Sequence, residues 1–369
     1  MLDLNYKAED VQNLTEIVEK QKKKFEELRS QVRKLKFVPI EPTGFYSPIA
    51  FTSFDGGMFN VNFDPFELDI VEVADSYGNS KLRFAAPRGD KFSKEELKIM
   101  IEGINKNPII KKFLSILKRE SLYDVSEIIG SRGTLMELGE WACIFDKVLS
   151  SSTEEKTIIL KDGLLRTKKI KSELIRPLRD ELSKRKNHVK LIGVSKTSKI
   201  VSLLAAALLC EKIFPEGNIG YVEVPLELEN MAYKWSGKGK LRPEDVKPLD
   251  YAFGTLYIAK LSKHRNLFVT IEIPRDLDGE KNIYSKEEIL EAISYIAKDS
   301  MYSYPILGYP QTIMRAHEFA VRLGIPVSIL RDEIMKDIMG GTDSVLGEYI
   351  RDGRMTREAV DKGVLGGGS

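Results

Sequence analysis

The stretch Thr157-Ile-Ile-Leu-Lys-Asp-Gly163 is an apolar run that ends in an aspartate and a glycine. A short continuous apolar run bounded by turn residues is typical of a strand that is buried on both faces of a sheet. A helical pattern follows over residues 171–185, and Val189-Lys-Leu-Ile-Gly-Val194 is a second run of the same kind. A strand, a helix and another strand in succession predict an α/β domain.

The same interleaving of strands and helices extends over most of the chain. Two capping boxes, Ser93 with Glu96 and Ser285 with Glu288, mark the starts of helices. Residues 255–259 and 267–273 are expected to pair as strands. We therefore expect a central mixed sheet flanked by helices. The remaining strand-like runs are residues 49–54, 69–74, 81–84 and 219–224.

The chain begins with a long amphipathic pattern. Over residues 10–36 apolar side chains recur at steps of three, four and seven, in the manner of heptads. Such a helix either lies across its own domain or forms a coiled-coil contact with a second copy or a partner. The pattern alone leaves both possibilities open.

Composition narrows the class of protein. The chain has 369 residues, of which 42% are hydrophobic and 30% charged, so it can bury a sizeable core. Two cysteines, Cys143 and Cys210, cannot form a disulfide framework, which favours a reducing, cytoplasmic location. The longest apolar run, residues 201–210, is far shorter than the roughly 20 residues that cross a bilayer. We expect no membrane segment.

Charge is distributed unevenly along the chain. The total of 57 Lys and Arg against 55 Asp and Glu gives a net charge of +2, which excludes a wholly polybasic binder. Residues 161–200, however, hold 13 Lys and Arg against 4 Asp and Glu. This asymmetry indicates either a track for nucleic acid or a solvated helix face.

Two aspartates stand in the same context, since Asp55-Gly56 and Asp162-Gly163 each follow an apolar strand pattern. We expect both to lie at strand ends, where the active residues of open α/β sheets gather. A lone Asp-Gly is usually only a turn. Neighbouring carboxylates repel one another, so a site built from two of them needs a cation such as magnesium or manganese.

Further donors for such a cation are available. Glu137 and Glu140 lie three residues apart on one predicted helix, and either could be a ligand or a surface charge. His317 could ligate manganese, carry a proton or simply pack in the core. Lys196 follows the end of a strand, where its charge could hold a phosphate.

Taken together and in this order, these motifs resemble the NurA nuclease family. The likeness spans residues 54–323, and its most distinctive part is a Tyr-Pro followed by Ala-His on a helix. The segments that carry it are Phe54-Asp-Gly-Gly57, Arg132 with Glu137, Ile159-Leu-Lys-Asp-Gly-Leu-Leu165, Ile192-Gly-Val-Ser-Lys196, and Gly308-Tyr-Pro310 with Ala316-His317.

The resemblance implies an RNase H-like fold and a homodimer that cuts DNA in a manganese-dependent way, with Mg²⁺ as the alternative cation. It implies 5′-to-3′ exonuclease and single-strand endonuclease activity. It also implies that the protein works with the hexameric ATPase HerA in end resection for double-strand break repair. Carried onto this chain, the metal ligands are Asp55, Glu137, Asp162 and His317, with Tyr309 beside the site. Lys196 matches less well, and Glu140 remains an alternative to Glu137.

The expected organisation has three parts. Residues 1–38 form an N-terminal helix for dimer or partner contact, residues 39–335 form the nuclease domain, and residues 336–369 form a C-terminal extension with a flexible Gly/Ser end. Two other functions stay open. The chain could be an inactive nucleic-acid-binding module, or an adaptor whose N-terminal helix docks a motor.

Overall fold

The structure is a computed structural model that describes residues 8–41, 49–63, 66–86, 93–235, 252–279 and 281–322. The predicted C-terminal extension lies outside these residues. The chain divides into two compact units. Unit 1 comprises Met1–Ala50, Glu154–Thr167 and Leu182–Gln311, and unit 2 comprises Phe51–Thr153, Lys168–Glu181 and Thr312–Ser369.

The described strands and helices alternate along the chain, which confirms a mixed α/β protein. The strands are β1 (Val38–Pro39), β2 (Ile49–Phe63), β3 (Phe66–Asp75), β4 (Ser80–Ala86), β5 (Lys156–Asp162), β6 (Val189–Ser195), β7 (Gly220–Glu223), β8 (Gly254–Lys260) and β9 (Phe268–Pro274). The α-helices are α1 (Ala8–Val32), α2 (Lys94–Asn105), α3 (Pro108–Leu117), α4 (Thr134–Ser150), α5 (Ile175–Ser183), α6 (Lys199–Cys210), α7 (Leu226–Trp235), α8 (Lys286–Ser300) and α9 (Gln311–Val321).

Unit 1 is built on a mixed sheet with the strand order β1-β7-β8-β9-β6-β5. Strands β5 and β6 are parallel, with Asp162 opposite Val194, and the other neighbours run antiparallel. Every residue of β6, β8 and β9 is buried. The continuous apolar runs in these strands reflect a position with both faces covered.

Unit 2 contains β2 from Phe51 onward, β3 and β4, which pair antiparallel in that order. Helix α4 supplies much of its core, with Trp141 and Phe145 fully buried. Both predicted capping boxes are present, one at the start of α2 in this unit and one at the start of α8 in unit 1. Each cap satisfies backbone N–H groups that the first helical turn leaves without intrahelical partners.

The strand prediction at Asp55 was wrong in one respect. The chain does not turn at Asp55-Gly56-Gly57, because β2 continues as a paired strand to Phe63. Asp162 does end its strand as predicted, and Gly163 adopts a left-handed φ of +88° that favours glycine. An aspartate followed by glycine therefore marks two different backbone situations in this protein.

The second half of α1 packs onto its own unit. Leu28 and Val32 are buried in one cluster with Ile200 and Leu204 of α6. Arg29 and Arg33 both reach Glu211, directly after α6, with N–O distances of 2.5 Å. Earlier along α1, Ile17 and Val18 are about half exposed. None of the described helices is both long and apolar enough to cross a membrane.

Replacing Glu211 with Gln should loosen α1 in a pH-dependent way. Hydrogen bonds from Arg33, and then from Arg29, hold the pKa of Glu211 below its ordinary value of 4.5. The charged form therefore stabilises the folded state above that pH, and the stabilisation is lost as the pH falls through the lowered pKa. Urea unfolding should show wild type more stable than E211Q at pH 7, with a gap that closes below pH 4.5.

The exposed Glu216 in the turn that follows provides the matched control. E216Q should unfold like wild type at every pH. A gap between wild type and E211Q that persists unchanged in acid would show that the ion pairs are not its cause.

Candidate functional site

Asp55 lies on β2 where two helices come close to the strand. A methyl group built on Gly56 would lie 2.5 Å from the Met136 side chain of α4, and one built on Gly57 would lie 2.2 Å from the Ala320 carbonyl oxygen of α9. Real Cβ atoms do not tolerate such distances. The two glycines are therefore required for α4 and α9 to lie against the strand beside Asp55.

Helix α9 presents His317 to Asp55. The imidazole Nδ1 lies 2.6 Å from Asp55 Oδ2, the distance of a short hydrogen bond. The Asp55 side chain is only 11% exposed, whereas that of His317 is 56% exposed. The buried carboxylate is thus paired with an imidazole that also meets solvent. This contact joins two of the predicted ligands.

The two candidate glutamates of α4 occupy different environments. Glu140 is buried, and its Oε1 accepts a hydrogen bond of 3.1 Å from the backbone N–H of Gly56, next to Asp55. Glu137 instead forms an ion pair of 3.0 Å with Lys169, which also donates to the Gly133 carbonyl at 2.9 Å. The carboxylate that contacts the Asp55 strand is therefore the alternative that the sequence left open.

In unit 1 the structure brings Asp162, Tyr309 and Lys196 together. The Tyr309 hydroxyl donates to Asp162 Oδ1 at 2.6 Å and lies 3.1 Å from the Val194 carbonyl oxygen. Lys196 Nζ lies 4.0 Å from Asp162 Oδ2 and 5.2 Å from the centre of the Tyr309 ring. Tyr309 is fully buried, whereas the Lys196 side chain is 41% exposed. One carboxylate oxygen is oriented by a hydroxyl, and the other faces a cation.

The basic stretch over residues 161–200 is only partly a solvated surface. Arg166 is largely buried and pairs with Glu229 and Glu272, both of them buried. Lys190 pairs with Glu288 at 2.7 Å. The sequence analysis missed the Arg166 network. Its one visible signal was a glutamate in the middle of the buried strand Phe268-Val-Thr-Ile-Glu-Ile-Pro274, because such a charge needs a partner.

The donor types at these positions suit a divalent cation. Asp55 and Asp162 offer hard carboxylate oxygens, and His317 offers a nitrogen that manganese accepts. In the described part of the chain, no group of three or more His, Cys, Asp or Glu side chains is arranged to hold a metal ion. The donor atoms of these residues nevertheless suit manganese or magnesium. Asp55 and His317 are the two proposed ligands that the structure places in direct contact.

The fold and these contacts define an α/β protein with two candidate site carboxylates. Asp55 contacts His317, and Asp162 contacts Tyr309. A model of the NurA domain matches residues 105–322, more than half of the chain. The chain therefore belongs to the NurA domain family. The matched range includes Glu137, Asp162 and His317, and it begins after Asp55.

Solved structures also show likeness to this chain. The NurA nuclease from Sulfolobus solfataricus is 13% identical, with a TM-score of 0.44 over 90% of this chain and 98% of that one. A structure of NurA with manganese is 10% identical, with a TM-score of 0.35 over 86% and 97% of the two chains. A search of curated proteins finds no significant match.

Replacing Tyr309 with Phe should destabilise the fold. The change removes the hydroxyl that donates to Asp162 and leaves one oxygen of that carboxylate without this bond. Loss of one hydrogen bond to a charged group costs about 1.5–3 kcal/mol. Urea unfolding should therefore show a lower free energy of unfolding for Y309F.

The matched control is Tyr302→Phe, since that tyrosine is 81% exposed. Y302F should unfold like wild type. Equal stability of Y309F and wild type would mean that the hydroxyl contributes nothing to holding Asp162.

Proposed function

We propose that this protein is a manganese-dependent DNA nuclease with an RNase H-like fold. Membership of the NurA domain family supports the proposal, as does the similarity to a protein described as the NurA nuclease. The activities proposed are 5′-to-3′ exonuclease and single-strand endonuclease. The observation that carries the proposal is the 2.6 Å contact between Asp55 and His317, which joins a buried carboxylate to a solvent-facing imidazole.

Four residues are proposed to hold the cation: Asp55, Asp162, His317 and a carboxylate of α4. Manganese, or magnesium in its place, would supply Lewis acidity towards the phosphate and a bound water of lowered pKa. Each proposed ligand has a donor chemistry that the cation accepts.

The neighbouring side chains have separate proposed roles. Tyr309 orients the Asp162 carboxylate through its 2.6 Å hydrogen bond. Lys196, partly exposed and 4.0 Å from Asp162, places a positive charge where the scissile phosphate would be neutralised. His317 is oriented by the bond from its Nδ1 to Asp55, so that its ring is fixed towards solvent.

The carboxylate of α4 is proposed to be Glu140 rather than Glu137. Glu140 is buried and accepts the N–H of the residue after Asp55, whereas Glu137 is neutralised by Lys169. A metal ligand should lie near the other ligands, and the hydrogen bond to Gly56 places Glu140 beside the strand that carries Asp55.

The proposed partners are DNA, a second copy of this chain and the hexameric ATPase HerA, acting in end resection for double-strand break repair. The exposed Ile17 and Val18 support a partner contact through the first half of α1. The packed second half of α1 would hold that surface in place.

Replacing Asp55 with Asn should abolish cutting. The amide keeps the size of the side chain but loses the charge that a cation needs. With labelled single-stranded DNA and Mn²⁺, wild type should produce short products and D55N should be reduced by at least 100-fold. Isothermal titration should show weaker Mn²⁺ binding to D55N.

Thermal unfolding and circular dichroism provide the folding control for D55N. The H317A variant should lose less cleavage activity than D55N. Wild type that binds DNA but does not cut it under any divalent cation would favour the inactive binding module. Full cleavage by a folded D55N would remove Asp55 from the proposed ligands.

Glu140→Gln and Glu137→Gln form a matched pair on one helix. The glutamine at position 140 can still accept the Gly56 N–H, so the fold should persist while the charge is lost. We expect E140Q to lose cleavage nearly as fully as D55N, and E137Q to retain it within about tenfold. A greater loss in E137Q than in E140Q would restore Glu137 as the ligand.

A further inference from the structure

Two tyrosines shortly before Tyr309 in the sequence are unusually exposed. Tyr302 and Tyr304 each expose 81% of their surface, while Ser303 between them is buried. They lie in the segment that joins α8 to the buried Tyr309. Residues 301–310 contain no charged side chain. Two large aromatic rings on one short uncharged segment form an apolar surface that burial within the chain does not explain.

The backbone of this segment is held by several hydrogen bonds. The Ser303 hydroxyl lies 2.9 Å from the Ser300 carbonyl oxygen and 2.7 Å from that of Ile306. The Gly308 N–H donates to the Ser300 carbonyl at 3.0 Å, and the Tyr304 N–H donates to Gln311 Oε1 at 2.8 Å. The rings are therefore displayed by an ordered backbone, which lowers the entropy cost of binding a ligand.

The same segment contacts the start of a connection that contains basic residues. A methyl group built on Gly308 would be 3.2 Å from Ser262 Cβ, so the segment contacts the connection between β8 and β9. That connection contains Lys263, His264 and Arg265, all exposed, with no carboxylate among residues 261–267. Within the described residues, neither Lys263 nor Arg265 forms an ion pair. Two cations and a histidine are therefore available to an anionic ligand.

The exposed rings are also close in sequence to the candidate site in unit 1. Tyr309, which bonds to Asp162, follows Tyr304 by five residues. Lys196 lies over the Tyr309 ring and is partly exposed. Along the chain, the exposed rings therefore come shortly before the tyrosine that contacts the Asp162 carboxylate.

We propose that Tyr302 and Tyr304 stack against the bases of single-stranded DNA, and that Lys263 and Arg265 bind its phosphates. This inference rests on the proposed nuclease function and specifies how the substrate is held. Every base has a face that stacks on an aromatic ring, and each such contact is worth about 1–3 kcal/mol. The bases of a duplex are already stacked on one another, so the surface selects single strands.

The exposed cations of the neighbouring turn favour an anionic occupant, and the two exposed rings favour an occupant with flat aromatic faces. A nucleic-acid strand offers regularly spaced anions and aromatic faces together.

The test measures binding without cleavage. A fluorescein-labelled 20-residue oligothymidine is titrated with the full chain in EDTA, and fluorescence anisotropy gives the dissociation constant. Replacing both tyrosines with leucine should raise this constant at least tenfold. Replacing both with phenylalanine should change it less than twofold, because the ring face is kept. Binding to a blunt 20-base-pair duplex should change less than twofold in either variant.

The charge contribution is tested by salt dependence. Removing both cations with Lys263→Ala and Arg265→Ala should reduce the slope of log affinity against log salt by about 1.4, since each phosphate contact on a single strand contributes about 0.7. The matched control is Lys286→Ala, an exposed lysine in the first turn of α8. It lies about 20 Å from Ser300 at the helical rise of 1.5 Å per residue, and its loss should leave the slope unchanged.

The outcomes separate this inference from the proposed function. Wild type that cuts DNA while the leucine variant binds oligothymidine as tightly as wild type would overturn the stacking surface and leave the nuclease intact. Wild type that neither binds nor cuts DNA would overturn both. Equal weakening in the leucine and phenylalanine variants would assign the effect to the hydroxyls, which also overturns stacking. Thermal unfolding of each variant checks that the loop change leaves the fold intact.

Discussion

A buried carboxylate is stable only when a specific partner replaces the water it has lost. This constraint shapes both units. The buried Asp55 is paired with His317, and the buried Glu272 is paired with Arg166. The imidazole beside Asp55 is a titratable group, so this carboxylate keeps a capacity to bind a cation. At Glu272 a permanent cation neutralises the charge, and the result is structural. Asp162 is partly exposed, and it accepts a hydrogen bond from Tyr309 while it also faces Lys196.

Features whose physical cause lies within one segment of the chain could be predicted from the sequence. Strands β5, β6, β8 and β9 were predictable because a strand that is buried on both faces consists of a continuous apolar run. Both capping boxes were predictable because the cap forms within four residues. The end of β5 at Asp162 was also predictable, because the glycine that follows can adopt the left-handed backbone found at position 163. In each case the physical cause lies within the segment itself.

Other features depend on parts of the chain that are distant in sequence. Gly56 and Gly57 suggested a turn, but they are small because α4 and α9 lie against β2. The choice between Glu137 and Glu140 depends on Lys169 and on the Gly56 N–H. Neither contact can be recognised from the residues near the two glutamates in the sequence. Local charge was similarly ambiguous, because the basic stretch contains Arg166 and Lys190, which are held by carboxylates far away in sequence.

Helix α1 has a mechanical consequence. Its 25 residues span about 37 Å at the usual rise per residue, and its second half is anchored to α6 by Leu28, Val32 and two arginines. Ile17 and Val18 lie on the same continuous helix as this anchor. A partner bound at these two residues would therefore be held at a fixed distance from α6 and from the core of unit 1.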